Sequence, residues 1–410
     1  MQNINVCIPN WFVLTQRFFL CLSYRPEGKF IQEIVDQIFT ILKDKRSIVY
    51  EDGFVGMDFH VEEINLLLNM NSNDVRFIGI CGKSGMGKTT LARFVFDKIC
   101  NQFEACSFLE NVKEVFNKAR SLETLKEQLL CDISKGALRV REVSRGIQVI
   151  ENILRDKKVL IVVDDVSEKG HLEELARKSW FGPKSRIMVT TEDKCLLDRY
   201  DIQTVYEADG LKNEEAQLLF SHKAHCEIDF LDLGSNVVTY AQGSPLVLNV
   251  LGSHLCKRTK EEWETAWNRL KEIPNEDIPE KLRIAYNGLE ELEKKLFLHI
   301  ACFFKGEDQN RVAAILESVC YWDNSIRKLI DKSLITIVGG KLCMHHLIQQ
   351  MGWKIVCGES MDLGRRSRLW DCTDVLYVLK NNIVSVLLYR HKFREVYIST
   401  IHASFCCILP

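Results

Sequence analysis

At 410 residues, 46% apolar and 27% charged, the chain has an ordinary globular composition and enough length for two to four compact units. A net charge of −2 gives no electrostatic reason to expect nucleic acid or an anionic membrane as a main partner. Sixteen cysteines are scattered without a single C-x-x-C pair, which fits buried free thiols in a reducing, cytoplasmic setting (with room for a nuclear pool) better than a disulfide scaffold.

The first 29 residues show no clear period and are left unassigned. Their apolar stretch at 11–22 is interrupted by Thr15, Gln16 and Arg17, too short to span a bilayer. No basic side chain precedes it and no clear small-residue cleavage site follows, so a signal peptide is not expected. From Phe30, apolar residues at 31, 34, 35, 38 and 41 predict a linker helix within 30–49. A second helical pattern runs through Ile64, Leu67 and Leu68.

The strongest signal follows. RFIGICGKSGMGKTTLARFVF, residues 76–96, places a G-x-x-x-x-G-K-[ST] loop between an apolar strand and a helical pattern, the context in which that motif cradles phosphates. Gly82, Gly85 and Gly87 let the backbone turn and aim N–H groups inward, at a helix N-terminus that itself favours negative charge. Lys88 is expected to reach the β/γ-phosphates, and the Thr89 hydroxyl to ligate Mg²⁺.

Beyond it, Cys106–Leu109 reads as a short strand and 122–130 as a helix. KKVLIVVDDV, residues 157–166, has five apolar residues in a row, the mark of a strand buried on both faces of a parallel sheet. Its two acids suggest a metal ligand in Asp164 and a water-orienting, catalytic group in Asp165. SRIMVTT (185–191) and 203–206 complete the strands. Thr190 and Thr191 either face the γ-phosphate or are ordinary strand residues. Strands alternating with helices predict a doubly wound α/β domain over 50–207.

After Leu211 only helical patterns remain, up to the breaks at Pro274 and Pro279, giving a helical unit over 208–278. A third unit, 279–358, opens with an apolar helix around Leu296–Phe304. It closes on two apolar runs joined by Gly339-Gly340, a hairpin signal, which suggests a small winged-helix unit. Residues 359–410 read as a linker and an atypical tail. The His345-His346 pair and the His222/His225 pair lack the further ligands that zinc needs.

These motifs, in this order, resemble the NB-ARC module of plant intracellular immune receptors, most of all the subgroup that carries an N-terminal TIR domain. The likeness spans roughly residues 27–372. It includes FEACSFLENVKEVF, GPKSRIMVTTEDKCLL, GLKNEEAQLLFSHKAH, YAQGSPLVLNVLGSHL, LFLHIACFFKGED, MHHLIQQMGWKIV and RRSRLW. The resemblance implies a P-loop NTPase fold followed by helical and winged-helix ARC subdomains, acting as an ADP/ATP switch in plant defence signalling, with weak ATPase activity at most. By position it implies that Val55 and Gly56 lie near adenine. It gives the phosphates to Gly82, Gly85, Met86, Gly87, Lys88, Thr89 and Thr90, and Mg²⁺ to Thr89 and Asp164. Pro245 is implied to meet the base, and His345 to reach the β-phosphate of ADP. Self-association or pairing with other immune receptors is a further implication.

Three departures from the family pattern stand out. Glu192 replaces the arginine after TT, and a carboxylate there should repel a triphosphate. His346 replaces the aspartate of the MHD motif, and is expected to loosen the closed arrangement. Gly243-Ser244-Pro245-Leu246-Val247 alters the GLPLA motif. No TIR domain fits before residue 30 and no leucine-rich period is visible from 369 to 410, so neither NAD cleavage nor a repeat-based sensing surface is expected. A metabolic P-loop enzyme and a non-switching nucleotide-binding scaffold remain as alternatives.

Overall fold

The computed structural model describes residues 55, 57–116, 121–134, 146–225, 231–273, 277–316 and 322–381. The predicted linker helix within 30–49, Gly56 and the tail beyond 381 lie outside the described residues.

Five parallel strands form the sheet: β1 (Arg76–Cys81), β2 (Ala105–Leu109), β3 (Val159–Val166), β4 (Arg186–Thr191) and β5 (Thr204–Glu207), in the order β2-β3-β4-β1-β5. Alternation of side chains along each strand assigns them to two layers. Leu160 and Val162 pack with Ile78, Ile80 and Met188 against α1 (Met57–Leu68) and α2 (Lys88–Ile99). Val159, Ile161 and Val163 pack with Ile187 and Val189 on the other face, against α4 (Ser121–Ile133) and α5 (Gly146–Asp156), with the short α3 (Val112–Phe116) beside them. The unbroken apolar run of β3, Val159 to Val163, is buried throughout, as a strand covered by helices on both faces requires.

Arg186 is a charged residue buried within this domain. It is 1% exposed and donates to the carbonyls of Leu68, Asn69, Ser72, Asp74 and Ser185 at 2.6–2.9 Å. It satisfies the orphan carbonyls at the end of α1 and the turn that leads to β1. The helices α6 (Lys169–Leu175) and α7 (Lys194–Arg199) follow β3 and β4.

Four helices come next: α8 (Asn213–Ala224), α9 (Leu231–Ala241), α10 (Pro245–Leu255) and α11 (Lys260–Lys271). Ser244 and Thr259 cap α10 and α11 through their side chains, and Pro245 occupies the first turn of α10, where its missing N–H costs nothing. The third unit comprises α12 (Ile278–Asn287), α13 (Glu291–His299), a π-helical turn at Ile300–Phe304, α14 (Gln309–Leu316), α15 (Trp322–Asp331), the strands β6 (Thr336–Val338) and β7 (Lys341–Cys343), α16 (His346–Glu359) and α17 (Cys372–Lys380). The predicted hairpin is present. Gly339 and Gly340 both hold positive φ, 56° and 79°, as a two-residue turn of the hairpin hand demands.

The helical and winged-helix units pack directly on one another. One continuous core runs from Ala216 through Leu251, Leu282 and Phe297 to Val356. The helix α12, placed after the proline break, bridges the two by packing on α10 and on α16.

Candidate functional site: the phosphate loop and its three walls

The loop between β1 and α2 is shaped by glycine. Gly85 and Gly87 have φ of 79° and 84°, a region closed to most side chains. A Cβ on Gly82 would stand 2.4 Å from the Ala208 carbonyl oxygen, so the loop enters under β5 only because that residue has none. Gly87 is the N-cap of α2, which aims the helix's free N–H groups at the loop.

The Lys88 side chain is 9% exposed and its ammonium donates to the carbonyls of Gly82 (2.8 Å) and Lys83 (2.9 Å). Burial pushes its pKa down, against the pull of Glu192, Asp165 and Asp164. The cation is thus poised inside the loop, with three carboxylates around it.

Sheet order sets the opposite wall. Because β4 lies between β1 and β3, the ends of all three strands meet beside the loop, the position where open parallel sheets bind ligands. Asp164 is fully buried. Its Oδ1 accepts from the hydroxyls of Thr89 (2.8 Å) and Thr190 (2.7 Å), and its Oδ2 from the Asn111 amide (3.5 Å). Burial raises its pKa, and those hydrogen bonds oppose the rise. A hydroxyl and a carboxylate in contact at the loop form an oxygen donor pair that suits a hard cation such as Mg²⁺. The register of β3 against β4 shifts between Val163 and Val166, and Asp165 sits in that irregularity with φ 59°. Its amide donates to Thr190 Oγ1 at 2.8 Å, and its side chain stays partly exposed.

The hydroxyls of Thr190 and Thr191 are engaged within the protein. Both are buried, Thr190 on Asp164 and Thr191 on the Val166 carbonyl (2.7 Å). Their hydroxyls brace the acidic end of β3. Thr89 and Thr90 are exposed at the start of α2.

The helical unit supplies the second wall. Ser244 Oγ donates to the Gly85 carbonyl (3.1 Å), and the Leu246 amide approaches the same oxygen at 3.5 Å. Pro245 stands over Gly87, 3.7 Å from where a Cβ would be. Met86 lies against Gly210, its sulfur 2.9 Å from the position of a Cβ there. Val55 packs on the core shared by the helical and winged-helix units. Ser244 was not among the expected site residues. The Ser-Pro pair ahead of a helical pattern is a capping signal, but its bond to the loop is a tertiary contact.

The third wall comes from the winged-helix unit. His345 is turned onto its own helix: its Nδ1 accepts from the Leu347 amide (3.2 Å) as the cap of α16. Burial lowers its pKa to about 3, so the ring is neutral. The contact with the phosphate loop is made by His346, stacked on it with ring centroids 4.4 Å apart. His346 Nε2 lies 2.5 Å from Ser84 Oγ and 3.7 Å from a Glu192 oxygen, which is itself 3.9 Å from Lys88 Nζ. A second strut lies nearby. Lys305, at the end of the π-helical turn, donates to Glu114 of α3 at 2.5 Å and to Gln349 at 3.0 Å. His346 is thus the contact between the winged-helix unit and the phosphate loop at Ser84, with Glu192 as its acidic neighbour.

No described helix is long and apolar enough to cross a membrane.

Comparison with known proteins agrees with this architecture. The NB-ARC domain model matches residues 57–228, and that of the Roq1-like disease resistance winged-helix domain matches residues 290–360. The chain is 41% identical over 386 residues to disease resistance protein RUN1 of Vitis rotundifolia, covering 91% of this chain and 29% of that relative. It is 41% identical over 367 residues to TMV resistance protein N of Nicotiana glutinosa, covering 86% of this chain and 31% of that one. The chain thus spans less than a third of the length of these relatives. Among solved structures, the signal transduction ATPase PH0952 of Pyrococcus horikoshii, with a tetratricopeptide repeat sensor, superposes with a TM-score of 0.49 at 17% identity, over 86% of this chain and 50% of that one. A P-loop nucleotide-binding domain continued by a Roq1-like winged helix, in the company of RUN1 and N, shows that the chain belongs to the plant NB-ARC disease resistance family.

Proposed function

We propose that the chain is the nucleotide-operated switch of a cytoplasmic defence receptor, held closed by ADP and turning ATP over slowly or not at all. One observation carries this reading: all three units meet on the phosphate loop. The sheet brings Asp164, the helical unit brings Ser244 and Pro245, and the winged helix brings His346 to Ser84. A nucleotide in that loop would sit at the junction, so its release or replacement would act on the contacts that join the units. Lys88, Thr89 and the loop amides would bind the phosphates, and Val55 and Pro245 would flank the base. Thr89 and Asp164 would hold Mg²⁺, which when bound neutralises phosphate charge.

Diphosphate preference follows from Glu192. Its carboxylate is 3.9 Å from Lys88 Nζ, so it already partners the cation that a terminal phosphate needs, and it adds like charge there. Asp165 stands where it could orient a water, but with Glu192 beside Lys88 turnover is expected to be slow. Opening would free surfaces for self-association or for pairing with other receptors. A scaffold that keeps its nucleotide permanently is the alternative that Glu192 favours, and a measurable exchange of labelled ADP excludes it.

The test is the nucleotide that co-purifies with the protein. ADP is expected in wild type and none in Lys88→Ala. Recovery of ATP, or rapid turnover of added ATP, would overturn the reading.

A further inference from the structure

Far along the chain from the phosphate loop, α10, α11 and α12 enclose a cavity of about 330 Å³, within the size range of small-molecule sites. His254 lines it. That side chain is 4% exposed, and its Nδ1 is buried without a hydrogen-bond partner, an arrangement that is costly in a folded protein unless something fills it. Arg258 and Arg269 line the same cavity, and among the described residues neither guanidinium has an ion-pair or hydrogen-bond partner. The carboxylates at the rim are engaged elsewhere. Glu262 accepts from the Thr259 amide at 2.9 Å, and Glu261 is bonded to the Thr259 side chain, so both serve the start of α11 rather than the arginines.

The cavity floor is shaped for access. A Cβ on Gly288 would stand 2.9 Å from His254 Cε1, 3.2 Å from Arg258 Nη2 and 3.3 Å from His254 Nδ1. The bare glycine therefore keeps open the space over which the imidazole and one guanidinium converge. Lys332 adds to the positive field around His254, whose pKa burial lowers to about 3, with Arg258, Lys332 and Arg269 pushing the same way.

We propose that this cavity binds a phosphate group carried by a small molecule, through Arg258, Arg269 and the Nδ1–H of neutral His254. Three separate donor groups suit a tetrahedral oxyanion, which offers more than two oxygens, better than a planar carboxylate. The volume leaves room for the remainder of a phosphate ester.

Titration calorimetry of the full chain, saturated with ADP so that the phosphate loop is filled, tests this with inorganic phosphate as the probe and acetate as the comparison. One equivalent of phosphate should bind, and acetate should bind at least about tenfold more weakly. Arg258→Gln and the exposed Arg269→Gln should each weaken phosphate about tenfold while ADP affinity is unchanged. Gly288→Ala should weaken it without altering any charge. No phosphate binding to wild type at millimolar concentration, equal affinity for acetate, or affinity unaltered in all three variants would overturn the proposal.

Discussion

At the scale of single residues, the site turns on an exchange of charges. Glu192 and His346 both depart from the family pattern, and they stand 3.7 Å apart. Both are partly exposed, so a like-charge pair at this distance is worth about 1 kcal/mol. His346→Asp should therefore place two carboxylates together and speed ADP release about fivefold, as read by stopped-flow chase of a fluorescent ADP. Adding Glu192→Arg should restore slow release, and additive effects in the two single variants would disprove the coupling. Glu192→Arg alone should raise affinity for ATP relative to ADP. Asp164 makes a separate prediction. Burial raises its pKa, so its ionisation costs the apo fold stability as pH rises through that raised value. Asp164→Asn should keep or raise the apo melting temperature near neutral pH while abolishing the Mg²⁺ dependence of nucleotide binding. A lower melting temperature with Mg²⁺ dependence retained would contradict both parts.

At the scale of elements, two joints hold the site in shape. Arg186 occupies a core position of β4, yet it fastens the end of α1 and the turn after it to the sheet through the four carbonyls of Leu68, Asn69, Ser72 and Asp74. Arg186→Met would leave the buried Leu68 carbonyl without its donor and release the partly exposed turn after it, and a loss of about 1–3 kcal/mol is expected in urea denaturation. The apolar run of SRIMVTT predicted β4 as a strand, but nothing in that run marks an arginine as a helix cap. The capping partners lie more than a hundred residues earlier. The second joint is the π-helical turn before Lys305. Its Ala301 carbonyl accepts from Gln349 Nε2 (2.9 Å) and Trp353 Nε1 (3.1 Å), which ties the turn to α16, and Lys305 extends from it to Glu114.

At the scale of the whole molecule, the segment that leaves β5 meets the segment before α10 through close backbone contact. Gly210 and Gly243 both have positive φ, and a Cβ on either would lie 2.6 Å from a carbonyl oxygen of the facing segment. The Leu211 amide donates to the Gly243 carbonyl at 2.9 Å. Gly243→Ala should therefore displace the segment that carries Ser244 and Pro245 to the phosphate loop and weaken ADP binding, with the α/β sheet itself intact by circular dichroism. Since one core joins the helical and winged-helix units, they should unfold together. Calorimetry is expected to show at most two transitions, one of them common to both units, and three separate ones would refute the shared core.

The sequence by itself determined the elements and the chemistry of the phosphate loop. Glycine spacing, the apolar runs of β1, β3 and β4, the paired acids and the Gly-Gly hairpin are local signals whose physical causes lie within a few residues. It also determined the family, since many short motifs recur in register. Only the tertiary structure decided which of two adjacent histidines touches the loop, that Thr190 supports Asp164 while Thr191 holds the Val166 carbonyl, and that Ser244 bonds to Gly85 with Pro245 over Gly87. It also decided that two units share a core. Each of these depends on where distant segments meet: Ser84 and His346 are 262 positions apart. Period and composition specify which face of an element is buried, but not against what.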